Sequence, residues 1–174
     1  ELKDWKGAQL ALQAALHFFE TESQADLTII GDGPLRAQLE SIAQTHPEGQ
    51  RVRFLGKLTM EALVNTLHEG DVFLFPSFHH GMSTVVLQAM LTGLPVVCIE
   101  GDATGRAIGQ EAGITVPLSD TQDPIVALST ALHVLATDEV RRQALGEAAR
   151  QIARERFSYD HQARALSALY SEIK

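Results

Sequence analysis

The chain has 174 residues, of which 45% are apolar and 21% charged, and its formal net charge at pH 7 is −8. These values are typical of one globular domain that buries roughly 70% of its unfolded surface. The negative charge argues against a broad nucleic-acid interface, the one cysteine excludes an internal disulfide, and no apolar run approaches the ~20 residues of a membrane span.

Short β-rich runs alternate with helical patterns along most of the chain. In chain order we predict a helix over 5–20, a strand over 25–31, a helix over 35–45, a strand over 51–56, a helix over 60–69, a strand over 71–77, a helix over 84–92, strands over 94–100 and 113–117, and helices over 124–136, 138–156 and 159–173. This order predicts an α/β fold with a Rossmann-like, doubly wound parallel sheet and helices on both faces. In such sheets ligands bind at the carboxyl ends of the strands.

The first loop at that edge is GDGPLR, which follows the strand over 25–31. Gly31 and Gly33 free the backbone for a tight turn and a close ligand, and Pro34 suits the first turn of a helix. Arg36 stands where a dinucleotide-binding fingerprint needs its third glycine. The loop therefore has two open interpretations, a phosphate-binding loop and a plain strand-to-helix turn.

The second loop, PSFHHGMST, precedes a helix that is apolar almost all round. Ser83 or Thr84 can cap this helix, whose free amides and positive dipole end favour an anion, and Gly81 lets the backbone approach the anion closely. Such a helix is expected to be largely buried, so its one long polar side chain, Gln88, is expected to have a fixed partner. That partner is either the neighbouring backbone or a ligand hydroxyl, and the sequence favours neither.

Two further side chains near these loops carry candidate chemistry. His80 is open to two interpretations, a hydrogen-bonding or proton-handling group and an inert loop histidine. Since neither Cys98, His68 nor Glu100 has a convincing ligand spacing, we predict no metal site. Lys6, at a helix start, is either a surface lysine or a contact for a diphosphate.

Taken together, these segments resemble the C-terminal, donor-binding half of retaining glycosyltransferases with the GT-B fold, of the group 1 or family 4 type. WKG resembles the family's lysine-glycine start, IIGDGPLRAQLE its glycine loop and helix, VRFLGKL its base-binding loop, and GDVFLFPS its A-D-V-x-x-x-P-S strand. GMSTVVLQAMLTGLPVV is similar to the specific E-G-(F/M)-x-x-x-x-L-E-A-M-A-x-G-x-P-V-V block, and FSYDHQARALSALY to the closing F-S-W … L-Y helix. The resemblance covers nearly the whole chain in family order.

The resemblance implies a role for each matched residue. It implies that Lys6 contacts the diphosphate, and that Gly31, Asp32 and Gly33 line the cleft with Arg36 in the helix behind them. Lys57 and Leu58 would contact the nucleobase. The amides that face the phosphates would be those of Gly81, Met82, Ser83 and Thr84. The family's first glutamate, which binds the transferred sugar, falls at His80, the candidate catalytic residue. The second, which binds the ribose hydroxyls, falls at Gln88.

Several positions depart from the family pattern. The paired glutamates E-x7-E are replaced by H-x7-Q, and Glu1 stands where an arginine would help bind the diphosphate. The glutamate usual after the next strand is also lost, with Gly105 and Arg106 in that region. Because a neutral amide binds a diol less strongly than a carboxylate, the nucleotide or its pose is expected to differ from the family norm.

The resemblance implies a glycosyltransferase that moves a sugar from a nucleotide-diphosphate sugar to an acceptor in polysaccharide or glycolipid synthesis. The donor is a substrate, and no cofactor is expected. One alternative is a degenerate homologue that acts as a binding module, which the H-x7-Q pair favours. Two others are a nicotinamide-dependent oxidoreductase, from the Gly-x-Gly loop, and a sugar-nucleotide epimerase.

The resemblance also implies partners and an organisation. Residues 1–156 would form the nucleotide-sugar domain, and residues 157–174 a helix that crosses back toward an N-terminal acceptor-binding domain absent from this chain. A start without methionine is expected of a fragment of a longer protein. Apolar surfaces left by the missing domain predict a homodimer as a further possibility. The expected location is cytoplasmic, which the lone cysteine fits, with peripheral contact at the inner face of the membrane through the full-length protein.

Overall fold

The computed structural model describes residues 1–22, 24–78, 81–101, 103–118 and 123–172. Its strands are β1 (Leu27–Ile30), β2 (Val52–Gly56), β3 (Phe73–Phe75), β4 (Val96–Ile99) and β5 (Gly113–Val116). Its α-helices are α1 (Ala8–Phe19), α2 (Arg36–Thr45), α3 (Met60–His68), α4 (Thr84–Thr92), α5 (Ala103–Ile108), α6 (Pro124–Thr137), α7 (Glu139–Arg156) and α8 (Tyr159–Glu172). Short 3₁₀ turns lie at Asp4–Lys6 and Gly49–Arg51.

All strand pairs that the structure describes are parallel, and the prediction of an α/β fold is confirmed. The strands form two hydrogen-bonded groups, β1-β2 and β3-β4-β5, where the sequence predicted one sheet. Every predicted strand and helix is present, each within a few residues of its expected bounds. The helix α5 was missed, because ATGRAI is short and carries a glycine in its middle.

Helices cover both faces of the β3-β4-β5 group. On one face, alternate strand residues such as Leu74 and Val97 join α1 and α6 in the largest apolar cluster. On the other, Phe73, Val96 and Cys98 pack against α4 and α7. Because β4 is sandwiched in this way, all four of its residues are buried, as the continuous apolar sequence of a parallel strand predicts.

The β1-β2 group shares only the first of these faces. Leu27 and Ile29 of β1 pack into the same cluster as α1, together with Val52 and Phe54 of β2. The opposite face of β2 carries Arg53 and Leu55, both of which are exposed. The helix α1 therefore lies across the boundary between the two strand groups.

Residues 1–7 cross this boundary at the carboxyl ends of the strands. The N–H of Leu2 donates to the carbonyl of Asp32, just after β1, at 2.9 Å. The N–H of Phe78, just after β3, donates to the carbonyl of Trp5 at 2.9 Å, and the Ser77 hydroxyl donates to the same carbonyl at 3.1 Å. The segment thus fixes the loops that follow β1 and β3 relative to each other.

None of the α-helices in the described part of the chain is both long and apolar enough to cross a lipid bilayer.

Candidate functional site

A cavity of about 420 Å³ opens at the carboxyl edge of β1 and β2. Its lining residues are Glu1, Gly31, Asp32, Gly33 and Lys57. Four of these five, all except Glu1, are residues for which the sequence predicted a donor-binding role. The structure therefore brings the glycine loop after β1 and the start of the loop after β2 together at one opening.

The two glycines of GDGPLR have different tasks. Gly31 has φ +120°, a conformation that L side chains rarely adopt, and its N–H donates to the Gly56 carbonyl at 2.7 Å. A Cβ on Gly33 would lie only 2.5 Å from the carbonyl oxygen of Leu2, so Gly33 admits the chain's own backbone. The N–H of Gly33 also donates to the Asp32 carboxylate at 2.8 Å. A Cβ on Gly31 would lie 3.5 Å from the nitrogen of Glu1, an ordinary van der Waals contact, so Gly31 is less tightly enclosed than Gly33.

Arg36 lies closer to the opening than the sequence suggested. It is the first residue of α2, and its Nη1 would be 3.0 Å from a Cβ on Gly56, which directly precedes Lys57. Its Nε donates to Glu40 at 2.8 Å, one turn further along the helix. Arg36 thus lies beside the end of β2 with its charge paired to Glu40, and of these two cations only Lys57 lines the cavity.

Lys6 lies at the end of β3, in the 3₁₀ turn that residues 4–6 form. Its Nζ is 5.8 Å from the centre of the Phe75 ring. Lys6 and Lys57 form no ion pair with another described residue, whereas Lys3 pairs with Glu1 at 3.0 Å. The lysine that the sequence singled out is therefore available to an external anion.

The start of α4 has the properties of an anion site. Ser83 is its N-cap, with no side-chain cap bond, and Val86 N–H donates to the Ser83 carbonyl at 3.0 Å. Among the described residues, no hydrogen-bond acceptor contacts the backbone N–H of Met82, Ser83 or Thr84. Such orphan amides, with the positive end of the helix dipole, favour a negatively charged ligand.

Gln88 has a partner that neither sequence interpretation named. It is half-buried in α4, less than expected, and its Nε2–H donates to the Sδ of Met60, the first residue of α3, at 3.1 Å. Of the two partners that the sequence left open, neighbouring backbone is not bonded by this side chain among the described residues. Since Met60 lies just after the loop that follows β2, the contact joins α4 to the segment that carries Lys57 and Leu58, and Leu58 is half-buried.

His80, the candidate catalytic residue, lies outside the described residues, as does His79. Gly81 is exposed at the loop's far end. Among the residues that the structure describes, no three His, Cys, Asp or Glu side chains are grouped as metal ligands. Glu1 lies in the cavity wall, where its pairing with Lys3 reduces the repulsion that its carboxylate would exert on a phosphate.

A family model for group 1 glycosyl transferases matches residues 1–138 of the chain. The sulfoquinovosyl transferase SQD2 of Arabidopsis thaliana is 30% identical over 149 residues, which are 83% of this chain and 28% of that protein. A GDP-mannose-dependent phosphatidylinositol monomannoside mannosyltransferase of Corynebacterium glutamicum is 28% identical over 162 residues, 89% of this chain and 41% of that protein. The chain thus spans less than half the length of these relatives.

Solved structures share the fold. HepE of Anabaena, crystallised in complex with UDP, superposes with a TM-score of 0.79 over 98% of this chain and 47% of its own, at 19% sequence identity. This likeness shows the architecture, and it carries no residue role to the present chain. The parallel strands and helical layers described above are therefore shared with that solved structure.

Proposed function

Because this chain belongs to the group 1 glycosyltransferases, we propose that it is the donor-binding domain of an enzyme that transfers a sugar from a nucleoside-diphosphate sugar to an acceptor in polysaccharide or glycolipid synthesis. The observation that supports this most directly is the set of unbonded amides at Met82–Thr84, with the unpaired Lys6 nearby on the same edge. The family excludes the oxidoreductase and the epimerase that the glycine loop left open, and beyond the H-x7-Q pair nothing in the structure or in the relatives favours the binding-module alternative.

In this proposal the diphosphate binds at the start of α4. The bonds from Ser77 and Phe78 to Trp5 fasten the start of the loop after β3 to the 3₁₀ turn that carries Lys6, and we propose that Lys6 and the α4 amides act on the same diphosphate. The whole chain carries a net charge of −8, and a local group of positive donors is therefore needed to attract an anionic ligand. Lys6 would bind the diphosphate as a point charge, and the amides of residues 81–84 would bind it through hydrogen bonds.

In this proposal the nucleoside binds in the cavity that Gly31–Gly33 and Lys57 line. Lys57 and Leu58 would contact the base, and Asp32 would line the cleft without reaching the diphosphate. Gln88, which Met60 holds beside this loop, would present its side-chain oxygen to the ribose hydroxyls. One structural neighbour was crystallised with UDP, whereas one relative depends on GDP-mannose. The two nucleobases differ, so the proposal names the donor only as a nucleoside-diphosphate sugar.

The proposed reaction breaks the bond between the sugar's anomeric carbon and the diphosphate oxygen. Positive charge develops on the sugar ring and negative charge on the leaving diphosphate, while the oxygen of an acceptor hydroxyl forms the new glycosidic bond and its proton passes to the leaving diphosphate. Lys6 and the α4 amides would stabilise the departing diphosphate, which is electrostatic stabilisation by preorganised donors. His80 is proposed to contact the transferred sugar, and retention of configuration follows the family resemblance. Neither a metal nor a cofactor is part of the proposal.

The proposal includes the organisation of the longer protein. Residues 1–156 would bind the donor, and the helix within 157–174 would cross toward an N-terminal domain that holds the acceptor. The exposed side chains of Leu166 and Tyr170 on α8 support a further contact for this helix. A cytoplasmic location, peripheral contact with the inner face of the membrane and a homodimer remain parts of the proposal.

A calorimetric titration of the intact protein tests the donor site. UDP, GDP and ADP are compared with uridine, guanosine and adenosine at the same concentrations. We expect one diphosphate to bind at least about tenfold more tightly than its nucleoside, because the proposed site binds the phosphates with charged and dipolar donors. If no diphosphate binds at millimolar concentration, or if nucleoside and diphosphate bind equally, the proposed site is wrong.

A further inference from the structure

Two exposed aromatic side chains start from adjacent backbone at the carboxyl edge of the strands. Of the Phe, Trp and Tyr side chains in the described residues, three are exposed, and two of these belong to Trp5 and Phe78, each 48% exposed. The N–H of Phe78 donates to the Trp5 carbonyl at 2.9 Å, so the two residues are close neighbours. Because large aromatic rings are mostly buried in folded domains, an exposed pair of this kind indicates contact with a ligand or a partner.

The backbone that carries this pair is tightly held. The Trp5 carbonyl accepts a second hydrogen bond, from the hydroxyl of the buried Ser77, at 3.1 Å. A Cβ on Gly7 would lie 1.8 Å from the carbonyl oxygen of Pro76, which shows how closely the two segments approach each other. The aromatic side chains therefore start from a preorganised backbone, and preorganisation lowers the entropy that is lost when a ligand binds.

One side of the Trp5 ring already has a partner. The Nζ of Lys3 lies over the ring, 4.9 Å from its centre, and the same ammonium pairs with Glu1 at 3.0 Å. The uncovered part of the indole is exposed, and its π face carries the negative part of the ring's quadrupole. Such a surface attracts apolar groups whose outer atoms are weakly positive, and C–H groups have this property.

The pair lies on the β3 side of the carboxyl edge, away from the nucleoside cavity at β1 and β2. Glu1 lines that cavity, whereas Trp5 is not among its described lining residues. Trp5 directly precedes Lys6, and Phe78 lies in the loop that leads from β3 to the amides of α4. A nucleoside-diphosphate sugar is linear, so a nucleoside in the cavity and a diphosphate at Lys6 leave the sugar on the side of the aromatic pair.

We propose that Trp5 and Phe78 form a platform on which a sugar ring stacks through its apolar C–H face. A pyranose carries its hydroxyls around the rim and C–H hydrogens on its faces, so it can stack on an aromatic ring while the hydroxyls keep their hydrogen bonds. The ring belongs either to the transferred sugar of the donor or to a sugar of the acceptor. The inference rests on the proposed function, and it makes Trp5 and Phe78 positioning residues.

Calorimetry on the intact protein tests the donor as the source of the sugar. UDP, GDP and ADP are compared with UDP-glucose, GDP-glucose and ADP-glucose for the natural protein, Trp5→Leu and Trp5→Phe. If the donor sugar stacks on the platform, Trp5→Leu should raise the dissociation constant of the sugar nucleotide about threefold to tenfold and leave that of the diphosphate unchanged. Trp5→Phe keeps an aromatic ring and should lose less. Phe78→Leu should act in the same direction, with Phe78→Tyr as its conservative control.

Saturation-transfer NMR with methyl β-D-glucopyranoside, with and without UDP, tests the acceptor as the source. We expect transfer from the protein to the C–H protons of the glycoside, and weaker transfer in Trp5→Leu than in Trp5→Phe. An effect on the sugar nucleotide assigns the platform to the donor sugar. An effect confined to the free glycoside assigns it to the acceptor.

Three outcomes overturn the platform. Trp5→Leu and Phe78→Leu could leave both ligands unaffected, or they could weaken diphosphate and sugar nucleotide equally. They could also lower the melting temperature of the intact protein with no change in either ligand, which would mean that the pair packs against another part of the protein. Diphosphate binding in the same titration tests the donor site separately, and the glycoside experiment decides about the platform even if no nucleotide binds.

Discussion

The side-chain Nε2–H of Gln88 donates to the Sδ of Met60 over 3.1 Å, and this contact joins the middle of α4 to the start of α3. A thioether is a weak acceptor, so the bond orients the amide without using its oxygen. The family pattern has a glutamate at this position, whose two oxygens accept hydrogen bonds and which has no N–H to give to sulfur. If position 88 contacts the ribose as proposed, the Gln88–Met60 pair would change how the ribose is held.

Replacing Gln88 with glutamate is expected to strengthen nucleotide binding. A carboxylate accepts from both ribose hydroxyls, and charge-assisted bonds are about twice as strong as neutral ones, so we expect about 1 kcal/mol, or roughly fivefold, in the dissociation constant of the preferred diphosphate. Calorimetry measures the change, and the 2′,3′-dideoxy nucleotide should show almost none of it.

The matched control is Gln44→Glu, the same change at an exposed position of α2. It should leave the dissociation constant unaltered. Weaker binding by Gln88→Glu, or equal gains with the ribose and dideoxy nucleotides, would show that position 88 does not contact the ribose hydroxyls.

Removing the charge of Lys6 is expected to weaken the binding of the diphosphate far more than that of the nucleoside. Hydrogen bonds to charged groups contribute about 1.5–3 kcal/mol, so Lys6→Ala should raise the dissociation constant of the diphosphate at least roughly tenfold. The nucleoside constant should change little, because Lys6 lies beside Phe75 and outside the cavity lining. Titrations with both ligands give the comparison.

Arg154→Ala is the control for this loss of charge. Arg154 is exposed on α7 and forms no ion pair with another described residue, so its removal changes net charge by the same amount elsewhere. If both variants weaken binding equally, the effect of Lys6 is one of overall charge and no direct contact is needed.

The glycine at position 7 is expected to be essential for stability. It has φ +69°, and a Cβ there would lie 1.8 Å from the carbonyl oxygen of Pro76, a backbone atom that cannot move without displacing the end of β3. We expect Gly7→Ala to cost at least about 4 kcal/mol, or roughly 8–16 °C in melting temperature for a unit of this size. Thermal unfolding followed by circular dichroism measures it.

The variant Gly109→Ala separates the penalty of the left-handed backbone conformation from that of the close contact with Pro76. Gly109 also has a positive φ, +54°, but nothing lies within 4 Å of its Cβ position. It should therefore cost only about 1–2 kcal/mol, the penalty of the left-handed conformation alone. Equal losses for the two variants would mean that the close approach to Pro76 is relieved by a backbone shift.

The local patterns predicted the elements well because helix and strand periods are properties of short segments. The strands over 25–31 and 94–100 are apolar on both faces, and the helix over 84–92 ends at a glycine followed by a proline, so their type and bounds are visible in a few residues. The clustering of Gly31, Asp32, Gly33 and Lys57 also followed, since parallel strands bring successive loops to one edge.

Contacts between distant segments were not predictable in this way. Gly33 was expected to admit a ligand, yet its open side is filled by the backbone of Leu2, 31 positions earlier. The partner of Gln88 is 28 positions away and is a thioether, which no periodicity or motif signals. The division of the strands into two hydrogen-bonded groups was likewise not predicted, because the pattern of a single strand does not say which other strand it pairs with.

The contact between α7 and the end of α4 supports a last prediction. Arg150 on α7 donates from Nη2 to the carbonyl of Thr92 at 2.9 Å, and Thr92 is the last residue of α4, where carbonyl groups lack partners within the helix. The guanidinium also lies against Gly93, where a Cβ would be 2.5 Å from Nη2. Since the Arg150 side chain is about one third exposed, we expect Arg150→Ala to cost about 1–2 kcal/mol, or roughly 2–8 °C in melting temperature.

The control is again Arg154→Ala, one helical turn further along α7 and exposed, which should change the melting temperature by less than about 2 °C. Arg150→Lys should recover only part of the loss, because a lysine ammonium lacks the planar group that covers Gly93. Hydrogen exchange should report faster opening at the end of α4 than elsewhere in the helix. An unchanged melting temperature for Arg150→Ala would mean that water satisfies the Thr92 carbonyl as well as the guanidinium does, and that α7 is held to α4 by its apolar residues alone.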